Sequence, residues 1–234
     1  NFQWFQPGKA IGTGILASGT QVEQDITMSP RQGFVNVVYF SNEHKLFGHR
    51  IELRYGLRFT RFDNVGPTTL YQVDEQYNLI DEEGTEIPSG QFFHHRYGWE
   101  PRLGLSFLVT PELSLKTSYS RTLQYVHLLS FSSAGSPMEI WIPSGPSILP
   151  QASHQISAGI FANLFNKDYE ASVEVFYKHL DNVLDFKEHP NLLLYDKIET
   201  ELRFGKGKSY GVEFLLKRNT GALSGWISYT WSRS

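Results

Sequence analysis

The stretch R-I-E-L-R-Y-G-L-R-F-T at residues 50–60 decides how the rest of the chain is read. Ile51, Leu53, Tyr55, Leu57 and Phe59 are large and apolar, whereas Arg50, Glu52, Arg54, Gly56, Arg58 and Thr60 are charged, small or polar. A helix would scatter both sets around its circumference, while a strand places each set on its own face. Strands of soluble sandwiches need only about five or six residues, but crossing a bilayer at a tilt takes about 9 to 11. The eleven residues from Arg50 to Thr60 match the longer requirement.

Working outward, the same alternation recurs. Residues 34–40 read as a short strand before it, and residues 1–8 as the end of another. Downstream, Tyr97, Trp99, Leu103, Leu105, Phe107 and Val109 share one parity, as do Leu113, Leu115 and Tyr119. Ile156, Ile160 and Leu164, then Tyr169, Val173 and Tyr177, then Val212, Phe214 and Leu216, then Ile227, Tyr229 and Trp231 continue the series. The expected fold is all-β: an antiparallel transmembrane β-barrel wall of about eight strands plus a stub. Tight turns are expected near Glu43, Pro111, Lys167 and Thr220. Between them lie long connections at 62–92, 123–153 and 180–208, and the Gly-, Ser- and Thr-rich segment 9–32 reads as a further loop. Short turns on one side and long loops on the other are the layout of an outer-membrane barrel. Aromatic residues near strand ends, such as Tyr97 with Trp99 and Tyr229 with Trp231, suit its interfacial girdles.

Composition narrows the classes. Aromatic residues make up 15% of the 234 residues, yet no apolar run approaches the length of a membrane helix. A barrel escapes such a scan because polar residues facing inward dilute each strand's average. The absence of Cys excludes disulfides and thiolate metal sites. A net charge of -3 offers nothing to nucleic acid. Asn1 opens the chain without an initiator Met or signal peptide, which points to a processed chain or an internal piece.

Register has an energetic consequence. Slipping the central strand by one residue would move Arg54 and Arg58 to mid-bilayer at about 2–4 kcal/mol each. The polar parity is therefore assigned to the lumen: Glu52, Arg54, Arg58, Arg102, Lys116, Glu174 and Glu213, with Glu170 and Lys217. Arg121 breaks the rule, but near a strand end, where the cost falls to about 0–1 kcal/mol. The acidic run from Asp74 to Glu86 fits no Ca²⁺-loop spacing and reads as a solvated loop. His94 and His95 stand as a minor candidate for a metal or haem contact, against which counts that adjacent residues on a strand point to opposite faces. Ser, His and Asp are present, but no nucleophile elbow and no H-E-x-x-H motif accompanies them, so no catalytic residue, metal or cofactor is expected. For ligand contact, the candidates are Phe131, Met138, Trp141 and Ile142, held in a Pro-rich loop. The competing reading is that Trp141, Ile142 and Pro143 pack this loop against its neighbours.

Six strings also carry a family resemblance: W-E-P-R-L-G-L-S-F at 99–107, S-L-K-T-S-Y-S-R at 114–121, H-L-L-S at 127–130, W-I-P-S at 141–144, Y-E-A-S-V-E-V-F-Y-K at 169–178 and F-G-K-G-K-S-Y-G-V-E at 204–213. From about Gln32 onward the chain resembles the barrel domain of TonB-dependent outer-membrane receptors of Bacteroidetes type. The resemblance implies a bacterial outer-membrane location and energised import of a scarce nutrient through a barrel of about 22 strands. It also implies a plug, a TonB complex reached through an N-terminal region outside these residues, and sequence continuing past Ser234. Residues 1–234 are then a partial barrel domain, in contact with outer-membrane lipid or lipopolysaccharide and open to a surface lipoprotein or other subunits. Two alternatives stand beside it: a receptor-like barrel serving as a scaffold subunit, and a self-contained eight-stranded barrel, with hydrolysis as the activity to weigh for it.

Overall fold

The computed structural model describes residues 2–5, 9–15, 21–27, 29–74, 76–130, 139–188, 197–221 and 223–234. In chain order the strands are β1 Phe2–Phe5, β2 Lys9–Ile15, β3 Gln21–Thr27, β4 Arg31–Leu46, β5 Ile51–Val65, β6 Thr68–Leu70, β7 Thr85–Ile87 and β8 Phe92–Thr110. They continue as β9 Leu113–Gln124, β10 Val126–Ser130, β11 Glu139–Pro143, β12 Gln151–Leu164, β13 Tyr169–Phe186, β14 Leu202–Arg218 and β15 Gly225–Arg233, with a short 3-10 turn at Ile198–Glu201. Nine of them form one sheet in the order β1-β4-β5-β8-β9-β12-β13-β14-β15, every pair antiparallel. Eight long strands and a four-residue stub are what the alternation predicts. The two ends of the order, β1 and β15, do not pair with each other, so the described strands form an open wall rather than a closed eight-stranded barrel.

The faces follow from the register. Cross-strand partners carry Ile51 through Phe107, Leu115 and Ile160 to Val173, so these five side chains share one face. The apolar window of β5 opens at Ile51, but that of β13 opens at Tyr169, four residues before Val173. Four residues rise about 13 Å along a strand while four strand spacings cover about 19 Å, a slope of about 35°. That is the strand tilt of a barrel wall. The window keeps a constant height only if the strands lean, so the apolar band is a property of the whole sheet.

From β4 to β14 the sheet strands run 12 to 19 residues, longer than a bilayer needs. The surplus extends toward the long connections, and at both ends of the sheet expectations are corrected. β4 runs to Leu46 instead of ending at Phe40, because Ser41 to Lys45, polar on both parities, still pair with β5. The turn expected near Glu43 lies at residues 47–50, where Phe47, Gly48 and His49 all take positive φ. β13 passes the point where its alternation fails and reaches Phe186, and β14 starts at Leu202, so the connection expected at 180–208 shrinks to 187–201. A bulge between Asp181 and Val183, with Asn182 at φ 56°, inverts the parity and hides the strand's upper third. The segment expected as a loop at 9–32 holds the β2–β3 hairpin, and the other two long connections hold the β6–β7 and β10–β11 hairpins.

Candidate functional site

The seven residues assigned to the lumen all lie on the polar face. Glu52, Ser106, Lys116, Gly159, Glu174 and Glu213 are consecutive partners on one rung crossing six strands. Arg54 sits one rung higher opposite Gly104, Arg102 faces Gly56 on the next, and Arg58 pairs with Glu100 above that. Arg54 bridges Glu43, at 3.0 Å, and Glu52. Lys217 lies 3.7 Å from Glu170, and the Lys116 ammonium sits over the Phe161 ring at 4.3 Å. Glu174 and Glu213 are direct cross-strand partners of like charge, an arrangement that costs energy unless water screens it. A wet face accommodates it.

The upper end of this polar face changes character. Phe62 keeps the parity of Thr60 and Arg58, yet it is a fully buried aromatic. Its ring stacks on Tyr125 at 5.3 Å. Both rings lie against glycines: a Cβ on Gly33 would meet the Phe62 ring at 2.6 Å, and one on Gly98 would meet the Tyr125 hydroxyl at 2.0 Å. Only glycine permits that approach. Burial, reinforced by the Glu100 carboxylate, pushes the Tyr125 hydroxyl up to about 12, so it stays un-ionised. Glu100 itself accepts from Thr60 Oγ1 at 3.0 Å and lies 3.5 Å from the Arg58 guanidinium.

Above these rings the connection after β11 is held against the wall by its backbone. Asn64 Nδ2 donates to the Ser144 carbonyl at 2.8 Å, and the Arg96 guanidinium donates to the Gly145 and Pro146 carbonyls at 3.1 and 3.2 Å. Asn64, Arg96 and Phe62 all belong to the polar parity, so this connection folds over the polar face, not away from it. The Ser144 N–H donates to the Tyr125 carbonyl, and His127 Nε2 lies 3.2 Å from Ser144 Oγ. Burial holds the His127 imidazole below its ordinary pKa, partly offset by a hydrogen bond with the Leu149 backbone. Leu129, Ile142, Ile148, Ile198 and Leu202 form a buried cluster, which Leu184, Phe186 and Phe204 flank, and Arg31 pairs with Glu199 beside it.

Of the four ligand-contact candidates, Phe131 and Met138 lie outside the described residues. Trp141 is half exposed. Ile142 is fully buried in the cluster, so its side chain packs connections together and presents no surface to a ligand. Of the clamp residues, Glu100, His127 and Ser144 lie within strings that carry the family resemblance, whereas Asn64, Arg96 and Tyr125 do not stand out in the sequence; the further signal is Phe62, an aromatic on the polar parity. In the acidic loop, Asp74 accepts from the backbone N–H groups of Gln76 and Asn78, and these bonds, Asn78's first, lower its carboxyl pKa. Among the described residues no cluster of three or more His, Asp or Glu could hold a metal ion, and no helix is long and apolar enough to cross a membrane.

Comparison with known proteins agrees with the geometry. Residues 3–234 match the family model described as TonB dependent receptor-like, beta-barrel. The wall superimposes on the FrpB iron transporter from Neisseria meningitidis with 15% identity and TM-score 0.57, covering 89% of this chain and 27% of that one. It is also similar to the Serratia marcescens hemophore receptor HasR, solved as a double mutant with its hemophore HasA and heme, at 15% identity and TM-score 0.55 over 88% and 34%. The ferric-catecholate import receptor Fiu from K12 E. coli gives 11% identity and TM-score 0.52 over 93% and 30%. The chain thus spans about a third or less of these structures, and no curated protein matches it. An open antiparallel wall, leaning at a barrel's tilt and matched over nearly its whole length by one family model, belongs to the TonB-dependent receptor-like β-barrel family of the bacterial outer membrane.

Proposed function

We propose that this wall is part of a TonB-dependent transporter that imports a scarce nutrient across the outer membrane. The observation that carries the reading is the division of the sheet into an apolar window at barrel tilt and a face on which charged residues recur among Ser and Gly. In a scaffold the inner face needs only to pack. Here Glu174 and Glu213 stand side by side with no ion-pair partner among the described residues, which suits a hydrated path. In this reading Glu52, Arg54, Arg58, Arg102, Lys116, Glu174 and Glu213 line the path, and the clamped connection above them narrows its outer mouth. A plug and the inner-membrane TonB complex supply closure and energy from outside these residues. The similar solved structures are an iron transporter, a hemophore receptor and a ferric-catecholate import receptor, which directs the first tests to iron and heme.

The test is growth of the native bacterium on limiting iron or heme, with the full-length gene intact, deleted or restored. The expected outcome is a defect on one nutrient that the restored gene repairs only while TonB is present. Full growth on every nutrient, with the protein recovered in a stable complex with other outer-membrane subunits, replaces transport with the scaffold role.

A further inference from the structure

Two buried oxygens at the upper end of the wall have no hydrogen-bond partner among the described residues: Asn64 Oδ1 and Glu199 Oε2. Asn64 is 5% exposed and Glu199 7%, so bulk solvent does not serve them. Both residues line one cavity of about 30 Å³, where β4, β5 and β6 meet residues 143–148 and the 3-10 turn at Ile198–Glu201. A single water-sized particle needs roughly 10–15 Å³. A small bare ion therefore fits the cavity, and an ion with its full water shell does not.

Each oxygen is left over by a bond that its neighbouring atom makes. Asn64 Nδ2 donates to the Ser144 carbonyl at 2.8 Å, which fixes the amide and leaves Oδ1 as an acceptor. The Arg31 guanidinium donates to Glu199 Oε1, which leaves Oε2. Acceptors cannot satisfy one another, and burying them unmet costs energy. Their shared requirement is a donor or a cation in the cavity. Oε2 carries part of the carboxylate charge, and in a buried setting a charge meets it more strongly than the dipole of a water molecule. The lining selects the class of cation. Thr68, Thr69 and Ser147 also line the cavity and no imidazole or thiol does, so the available ligands are oxygens, which suit a hard ion. Glu199 is the one carboxylate in that lining, and Arg31 already balances its charge. A doubly charged ion would bury two uncompensated charges, and a singly charged ion halves that excess.

We propose that the cavity lined by Asn64 and Glu199 binds one monovalent metal cation of the sodium class, which staples the end of β5 to the 3-10 turn. The consequence is mechanical. Asn64 also holds the connection after β11 through the Ser144 carbonyl, and Ile198, next to Glu199, belongs to the buried cluster with Ile142 and Ile148. One ion thus ties two connections to the wall. The site does not depend on the transported nutrient, so it stands or falls separately from the uptake assay.

The experiment uses the full-length receptor purified in mild detergent, with hydrogen exchange read by mass spectrometry over residues 143–150 and 197–202. Exchange is compared in sodium chloride and in N-methyl-D-glucamine chloride at equal ionic strength, since the organic cation is too large for the cavity. Sodium is expected to slow exchange in both segments and to saturate; at about ten times its Kd, binding slows exchange through that opening about tenfold. Glu199→Gln, which removes the charge and keeps the shape, is expected to abolish the sodium response. Glu83→Gln, in the exposed acidic loop, is expected to keep it. If Glu199→Gln does not fold, the wild-type comparison between the two salts decides by itself. Equal exchange in both salts assigns the two oxygens to water and overturns the site. Equal protection by calcium in the absence of sodium overturns the charge assignment and the proposal with it.

Discussion

The middle of the sheet and its upper end are built on opposite principles. In the middle, apolar side chains stay open: Ile160 is 52% exposed, Val175 48% and Phe214 45%. None of the described residues covers them, so this region relies on its backbone ladder and on surrounding hydrocarbon. At the upper end lie all nine buried hydrophobic residues of the described chain, from Phe62 and Val65 to Ile198 and Leu202. That end has a core of the kind found in a soluble protein, assembled from strand ends and from the connections at 125–150 and 187–201. The contrast shows that one sheet can take its stability from two solvents, and that each part responds to a different kind of damage.

The largest expected effect falls on the protein core. Ile142→Ala removes a fully buried side chain from the cluster with Leu129, Ile148, Ile198 and Leu202, at about 2–5 kcal/mol. Hydrogen exchange is expected to accelerate across the β10–β11 hairpin and the residues after it, while the heated-versus-unheated gel shift of the barrel stays as in wild type. Barrel unfolding in step with the loop would show that the two regions are one cooperative unit. Val175→Arg reverses the comparison. It puts a cation in the middle of the outward window at about 2–4 kcal/mol, so barrel assembly is expected to fall while loop exchange in the folded fraction is unchanged. Ser157→Arg, on the polar face of the neighbouring strand, supplies the same charge without the hydrocarbon and is expected to assemble normally.

The two regions also differ in how far sequence alone discloses them. The window is legible because lipid imposes one simple constraint on every strand, and Ile51 to Phe59 meet it residue by residue. The upper end is opaque because its determinants are non-local. Phe62 and Tyr125 are far apart in sequence and meet only because β8 pairs with both β5 and β9, with Gly98 leaving room for the hydroxyl. Trp141 and Ile142 are neighbours in a Pro-rich stretch and group together as ligand contacts on sequence alone, but pairing with β10 makes them strand residues, so one turns out and the other in. At Asn182 a single inserted residue inverts the parity and makes a strand look finished. Alternation reveals a face until a bulge or a fold-back contact changes what that face meets.

The smallest expected effect concerns pH, and it too separates the regions. Burial lowers the pKa of His127 in the folded clamp below the 6.5 ordinary for imidazole. The unfolded chain therefore takes up a proton more readily than the folded one, and by linkage stability falls as pH drops below about 6.5, continuing until the folded imidazole itself protonates. Above that range the neutral ring fits beside Ser144 Oγ and no loss occurs. Hydrogen exchange of residues 126–130 and 139–143, corrected for intrinsic rate, is expected to quicken between pH 7.5 and 5, and His127→Asn is expected to flatten that dependence while slightly raising exchange at neutral pH. Val175 itself is expected to show no such slope, since its cross-strand partners Ala158 and Val212 and its strand neighbour Val173 carry no ionisable group. A pH slope that survives His127→Asn would move the acid sensitivity to another group and leave the clamp's histidine as packing alone.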